Sequence, residues 1–316
     1  MSTRLSRLSK FPLRALVSAA SRAGLPAAGA CALAALALPA VRADATTPVS
    51  AKAGPATAPA EAQAKAARFV QSYARASEDK SIIRWRNQIC IEVVGLQPEQ
   101  DAAVKSRIEA VAQAQRLWLY STRHLCGKAT NVSVVFTQNA QSTLDGIIAR
   151  NPLNLGDQHS DTRTVKTVTR PIQAWYQMSL CGDVCGPTPI QEHIGAAMVL
   201  VDMRRAGNTK LATIADYVTM LVLSEPRYPD HCQALPSVLD LFVGPCQGRP
   251  APTGLTRTDL AYLKAVYSAD EPIWRPTFSR SRAAPPTLDQ VAARMGQLMA
   301  GAGTLPAPGP APVPNR

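Results

Sequence analysis

The sequence predicts a single α+β domain, with a mixed sheet in its first half, helices in its second half, and disulfide staples. Three observations support this prediction. Short β-branched runs alternate with helical patterns up to residue 202, and longer amphipathic segments follow. Six cysteines follow an N-terminal segment that is typical of exported proteins. Residues 65–300 are enough for one domain with a substantial core.

The first 43 residues, 1–43, have the layout of a secretory signal peptide. Basic residues precede an uncharged run at 23–41, and the segment ends at Ala43. We expect cleavage there, a periplasmic or secreted mature chain, and no stable membrane insertion afterwards. An uncleaved anchor is the alternative, although Pro26 and Pro39 interrupt a run barely long enough to span a bilayer. A lipoprotein would use Cys31, but the Leu expected three positions before it is missing.

Both ends of the mature chain lack large apolar side chains. Residues 44–64 are rich in Ala, Pro and Thr and predict a flexible linker. Residues 301–316 have proline at every second position from 306 to 314 and predict a disordered tail. The whole chain has 34 Lys and Arg against 22 Asp and Glu. Six of the basic residues lie in the signal peptide, which leaves a net charge of +6, too mild and dispersed to predict a nucleic-acid partner.

Helices and strands alternate in the first half of the domain. Apolar spacing predicts a first helix at 65–77, and Pro98 suits the first turn of a second helix. A short helix is predicted at 140–149. Strands are predicted where β-branched and apolar residues cluster, at 89–94, 132–136, 171–178 and 197–202.

The second half is predicted to be mainly helical. Its most strongly patterned segment is 209–223, with Asn208 as the N-cap and an apolar stripe that predicts a central, mostly covered helix. Thr287 and Gln290 form a capping-box signature before the last helix. The remaining helices are predicted at 235–243, 257–267 and 288–300.

The cysteines of the mature chain lie in pairs along the sequence. Many connectivities are possible, and we expect neighbours to pair: Cys90 with Cys126, Cys181 with Cys185, and Cys232 with Cys246. A redox role for the second pair would need the CxxC spacing of thiol oxidoreductases, and the spacing here is CxxxC. Zinc bound by the same pair and His193 is another alternative, but no fourth ligand is evident.

No contiguous catalytic motif is present in the sequence. There is no G-x-S-x-G, and the four histidines are scattered without a shared motif, at His124, His159, His193 and His231. A hydrolase with carboxylates far apart in sequence stays open, because nothing singles out a pair. The sequence therefore predicts no cofactor and no metal.

The segments IADYVTMLVLSE, LPSVLDLF and LTRTDLAYLKAVY follow one another between residues 214 and 267. In order and spacing they resemble the end of secreted zinc-metalloprotease domains of the metzincin type, which carry H-E-x-x-H on a central helix. Ala215, Asp216 and Thr219 fall where the first His, the Glu and the second His would be, and Glu225 falls where a third His would be. The segment IIRWRNQICIEVVGL is similar to parts of uncharacterised exported proteins of alphaproteobacteria.

This resemblance implies a degenerate metzincin-like scaffold without a zinc site. Zinc proteolysis needs two imidazoles one helical turn apart and a Glu that polarises the bound water. Ala215 cannot bind zinc, and Thr219 is a poor ligand. Helix packing and an N-terminal cap would explain the same pattern with no such relationship.

Three residues of this region are candidate binding residues: Asp216, Thr219 and Glu225. The alternative for Asp216 is a carboxylate satisfied by a neighbouring donor inside the protein. Three aromatic residues are candidate cleft residues, with core packing as their alternative: Trp85, Trp175 and Tyr176.

The sequence favours a binding or accessory role for an exported pseudoenzyme. An enzyme is less favoured because the zinc-protease motif is absent. The alternative is a periplasmic or secreted hydrolase with a non-contiguous active site, and a third class is a surface protein tethered by its Pro-rich ends. The sequence does not identify a partner; a protein of the cell envelope is the candidate class.

Overall fold

A computed structural model of the chain describes residues 57–119, 130–150, 166–181, 191–246, 248–267 and 285–301. The predicted signal peptide, most of the predicted linker and all but the first residue of the predicted tail lie outside these ranges. Seven helices and four strands form the described part. The helices are α1 (Thr57–Tyr73), α2 (Pro98–Ala114), α3 (Ala140–Arg150), α4 (Met203–Ala206), α5 (Leu211–Ser224), α6 (Arg257–Tyr267) and α7 (Leu288–Ala300). The strands are β1 (Ile91–Val94), β2 (Val132–Thr137), β3 (Ile172–Cys181) and β4 (Gln191–Asp202).

The four strands form one mixed sheet in the order β1-β2-β4-β3. The first three strands of this order are parallel, and Val132 of β2 lies between Ile91 of β1 and Ala197 of β4. The strand β3 pairs antiparallel with β4 and forms the edge. The helix α2 connects β1 to the parallel β2, as a parallel pair requires a crossover. The α+β class and the mixed sheet are thus confirmed.

Most helices share one hydrophobic core with this sheet. Alternate residues of β2, including Val132 and Val134, join one core cluster with residues of α1, α2, α5, α6 and α7. The opposite face of the sheet contacts α3, where Leu144 packs against Trp175 of β3 and Leu200 of β4. This two-residue alternation is the strand periodicity that buries both faces of an interior strand.

The helix α5 lies at the centre of the larger core cluster. Every residue from Thr213 to Ser224 is buried, as the sequence predicted for a mostly covered helix. The prediction of Asn208 as its N-cap is wrong. Lys210 occupies that position without a side-chain hydrogen bond, because residues 207–209 still belong to the turn that follows α4.

Helix boundaries agree with prediction where a local cap defines them. The bounds of α6 and α7 are as predicted, and Thr287 caps α7 in a capping box. The first helix begins eight residues earlier than predicted, inside the predicted linker, and ends at Tyr73. The predicted helix at 235–243 is a short 3₁₀ helix, Val238–Phe242. It starts three residues later than predicted because Ser237 is its N-cap, and Gly244 and Pro245 follow its end.

The strand β4 begins at Gln191, six residues before its predicted start. The first three of these residues, Gln191, Glu192 and His193, are too polar to signal a strand. All six are ordered by the ladder with β3, in which Cys181 faces Gln191. The pairing, rather than the side chains, therefore extends the strand.

One predicted disulfide is confirmed, between Cys232 and Cys246, whose Cα atoms are 5.6 Å apart. Cys90 is also disulfide-bonded. Its predicted partner, Cys126, lies outside the described residues, as does Cys185. Cys181 ends β3, but its side chain is not among those described.

Candidate functional site

The two positions of α5 that the predicted metzincin resemblance would align with zinc-binding histidines are closed to solvent. Ala215 and Thr219 are both fully buried. The Thr219 hydroxyl donates a hydrogen bond of 2.7 Å to the Ala215 carbonyl one turn earlier in the same helix. Because that hydroxyl is fully buried and donates within its own helix, it offers no donor to a cleft.

Asp216 lies between α5 and α2, in a buried ion pair with Arg107. The Arg107 Nε lies 2.5 Å from Asp216 Oδ1, and both side chains are about nine-tenths buried. The other carboxylate oxygen, Oδ2, accepts a hydrogen bond of 2.9 Å from the Leu255 backbone N–H. The carboxylate is therefore paired and hydrogen-bonded, which is the condition for keeping a charge inside a protein.

The segment 253–255 covers the polar side of α5 at close range. The Thr213 hydroxyl donates a hydrogen bond of 2.7 Å to the Thr253 carbonyl. A Cβ atom on Gly254 would lie 2.5 Å from Asp216 Oδ2, so the backbone passes too close for any side chain. The space in front of Asp216 is thus filled by the protein's own backbone.

Glu225 ends α5 and is buried. Its backbone has φ 41° and ψ 59°, a left-handed conformation that is uncommon for Glu, and its N–H bonds to the Leu221 carbonyl at 3.2 Å. Its carboxylate lies 3.4 Å from Arg75 Nε. Burial raises the pKa of Tyr176, and the Glu225 charge raises it further. Glu225 therefore belongs to a polar cluster with Arg75 and Tyr176 at the C-terminal end of α5.

The three aromatic candidates lie in the core. The Trp85 indole N–H donates to the Val222 carbonyl at 2.6 Å, and the Tyr176 hydroxyl donates to the Leu221 carbonyl at 2.9 Å. Trp175 packs on the opposite face of the sheet. Trp85 and Tyr176 thus bind the C-terminal carbonyls of α5, and all three residues match the core-packing alternative.

A second buried carboxylate, Asp259, organises the start of α6. It accepts hydrogen bonds from the Thr256 N–H and hydroxyl, and Thr256 Oγ1 accepts from the Asp259 N–H, so the two residues form a reciprocal cap. It also accepts from the Ser237 hydroxyl and the Val238 N–H, which ties the 3₁₀ helix to α6. Complete burial raises the pKa of Asp259 to about 6 despite these hydrogen bonds.

Of the three residues of the alternative zinc site, Cys181, Cys185 and His193, only His193 has a described side chain. His193 lies buried in β4, where its Nε2 is 3.0 Å from Asn87 Nδ2. Among the described residues one group of potential ligand atoms comes together, from Cys232, Asp240 and Cys246. Both sulfurs of that group are in the disulfide, so they are not thiolates.

Two cavities lie beside the 3₁₀ helix. One, of about 660 Å³, borders the Cys232–Cys246 disulfide. The other, of about 440 Å³, lies between the residues that precede β3, the side of α5 and the 3₁₀ helix. We name it the Arg170 cavity. It is lined by Thr169, Arg170, Pro171, Arg205, Tyr217, Pro229, Leu239, Phe242 and Val243.

Arg107, the partner of Asp216, was not predicted from the sequence as a site residue. A signal was present, because Arg107 lies within the apolar stripe of α2 formed by Val104, Ile108 and Val111. A cation in such a stripe indicates a buried pair. The residues of the Arg170 cavity left no comparable signal, because they come from five separate segments.

Comparisons with protein-family models, with curated proteins and with solved structures found no match for this chain. Among the described helices, none combines the length and apolar character that crossing a membrane would require.

Proposed function

We propose that this chain is an exported, non-catalytic binding or accessory protein of the cell envelope. Its scaffold would be a degenerate relative of metzincin-type zinc metalloproteases that has lost the metal site. Export is supported by the signal-peptide pattern, and the disulfide between Cys232 and Cys246 suits an oxidising compartment.

The observation that carries the proposal is the use of Asp216. A metalloprotease needs a carboxylate that is free to polarise a metal-bound water, beside two imidazoles that hold the metal. In this chain the carboxylate at that position is bound by Arg107 and the Leu255 N–H, and backbone fills the space in front of it. The helix position therefore serves packing between α5, α2 and the segment 253–255.

The order of the elements supports the proposed ancestry. A mixed sheet with an antiparallel edge precedes a central helix, and Leu255, Thr256 and Asp259 of the segment LTRTDLAYLKAVY follow at the start of α6, where Thr256 and Asp259 form its cap. The cap also has a purely structural explanation, since Asp259 satisfies four donors at the start of α6 and at the 3₁₀ helix.

A hydrolase with a non-contiguous active site is the alternative. Ser237 bridges two carboxylates in the described part of the chain, since its N–H donates to Asp240 and its hydroxyl to Asp259. Both carboxylates are nearly inaccessible to solvent. This pair therefore gives the alternative no observation in its favour.

The test is the metal content and proteolytic activity of the mature protein, residues 44–316, purified from an oxidising compartment. We expect no stoichiometric zinc after mild dialysis, no cleavage of denatured casein, and no free thiols. One zinc per chain that is lost together with casein cleavage on chelation would overturn the proposal. The matched control is the Asp216→Asn variant, with its fold checked by circular dichroism, because loss of that activity in a folded variant would show that Asp216 serves the metal site.

A further inference from the structure

The Arg170 cavity has the size and lining of a small-molecule site. Its volume of about 440 Å³ falls within the range of ligand pockets, which is roughly 300–1,000 Å³. Its floor is apolar: the rings of Tyr217 and Phe242 meet edge to face, 5.2 Å apart at 70°, beside the buried Leu239. Such a floor accepts an aromatic or aliphatic group.

One polar group on this floor lacks a partner. Tyr217 is only 2% exposed, and its side chain lines the cavity. Within the described part of the chain its hydroxyl makes no hydrogen bond. Burial raises the pKa of Tyr217, so the group is a neutral O–H donor. This hydroxyl is not among the fully buried polar atoms that lack a partner, so it is accessible from the cavity, and a ligand acceptor there could accept its hydrogen bond.

The charge of the cavity is positive. Among the described residues, its lining includes Arg170 and Arg205 and no carboxylate. The Arg170 guanidinium lies 4.5 Å above the ring centre of Tyr228, which orients it. Its contact with Asp230 is 3.6 Å long and that carboxylate is 90% exposed, so a ligand anion could replace it at little cost.

The rim of the cavity is built by exposed hydrogen bonds from Arg205 and half-buried hydrogen bonds to and from Gln173. Arg205 donates to the backbone carbonyls of residues 168, 169 and 170. Gln173, which is 8% exposed, accepts from the N–H groups of Thr169 and Arg170 and donates to the Thr167 carbonyl. These bonds hold Arg170 in place before any ligand arrives, which lowers the ordering cost of binding.

We infer that the Arg170 cavity binds a carboxylate carried on an aromatic or apolar group. The apolar group would lie on Tyr217, Phe242 and Leu239, and the carboxylate would accept from the Tyr217 hydroxyl and pair with Arg170 in place of Asp230. The inference gives the proposed binding role a ligand class, and it rests on that role. A small organic acid and a peptide C-terminus share this chemistry.

Two pairs of probes test the inference by calorimetric titration of the mature protein. The pairs are 4-phenylbutyrate with 4-phenylbutyramide, and N-acetyl-Gly-Phe with its C-terminal amide. We expect a carboxylate to bind with a Kd below about 1 mM and its amide at least about tenfold more weakly. Tighter binding of phenylbutyrate would identify a small acid as the source, and tighter binding of the dipeptide would identify a peptide C-terminus.

Variants then locate the binding site. Tyr217→Phe removes only the hydroxyl and should weaken binding about fivefold or more, and Arg170→Gln about tenfold or more. Arg204→Gln is the control, because it removes the same charge from an exposed residue that does not line the cavity. It should leave the Kd unchanged.

Three results would overturn the inference: no saturable carboxylate binding at about 10 mM, equal binding of acid and amide, or unchanged affinity in both cavity variants. The zinc and casein measurements keep this failure distinct from failure of the proposed function. A zinc-free, inactive protein that binds neither acid would lose the ligand class and retain the non-catalytic assignment.

Discussion

At the residue scale, the buried pair of Asp216 and Arg107 joins two helices that are far apart in sequence. Pairing keeps both charges tolerable inside the protein, and removing one partner leaves the other buried without compensation. A pair of this kind gives little net stability over an apolar pair, but it is costly to break.

Asp216→Ala should therefore lower the free energy of unfolding by about 3–5 kcal/mol, measured by urea denaturation at pH 7. The double variant Asp216→Leu with Arg107→Met should lose much less, because no unpaired charge remains. A single variant that costs less than about 1 kcal/mol would show that the two charges are not buried against each other.

The buried carboxyl of Asp259 makes the stability of the protein depend on pH. Its pKa is about 6 in the folded protein against an ordinary value of 3.8, so the folded state binds a proton more tightly than the unfolded state. This contribution to stability is fully present below about pH 4 and is lost as the pH rises through about 6. The size is about 3 kcal/mol for two pKa units.

Asp259→Asn should remove that fall in stability between pH 4 and 6, measured by urea unfolding at several pH values. Asparagine can keep most of the local bonds, because its oxygen can accept where Oδ2 does and its NH₂ can donate to the Ser237 hydroxyl. Asp145→Asn, at an exposed carboxylate, is the control. Parallel stability curves for the wild type and Asp259→Asn would contradict the prediction.

At the element scale, the segment 253–255 seals one side of α5. Its contact with Asp216 leaves no room for a side chain at Gly254. Gly146, in α3, offers the opposite case, since a Cβ atom there would meet nothing within 4 Å. The two glycines therefore separate the effect of close packing from the general effect of replacing glycine.

Gly254→Ala should destabilise the protein by about 1–3 kcal/mol, because the added methyl group must displace the backbone or the Asp216–Arg107 pair. Gly146→Ala should be neutral or stabilise by up to about 1 kcal/mol, because alanine suits a helix interior better than glycine. Thermal unfolding of both variants gives the comparison. Equal effects would mean that segment 253–255 does not press on α5.

At the scale of the whole molecule, local signals predicted elements and failed for contacts between them. The bounds of α6 and α7 follow from caps within four residues of each helix start, so the sequence was sufficient there. The polar start of β4 depends on pairing with β3, and no pattern within β4 reports that pairing.

In the candidate site, too, a residue such as Asp216 was predictable from the sequence and the contacts between distant residues were not. A buried, donor-satisfied Asp216 was among the alternatives, but its partner Arg107 is 109 positions away. Tyr217 and Arg170 meet only because the residues before β3 pass beside α5. The sequence contains each of these side chains without a pattern that links them, since their proximity is created by the sheet and the helix packing.

The packing of α1 against α7 brings the two ends of the described domain together. Thr287 pairs near Ser81, beyond the end of α1, while Gly296 lies against Gln63 near its start, so the two helices run in opposite directions. Tyr73, at the far end of α1, bonds to Asp240 of the 3₁₀ helix, about 25 Å along the helix axis from Thr57. A short linker could therefore join residue 301 to residue 57. In a circular permutant opened elsewhere, this new junction would lie near the start of α1, far from the Arg170 cavity beside the 3₁₀ helix.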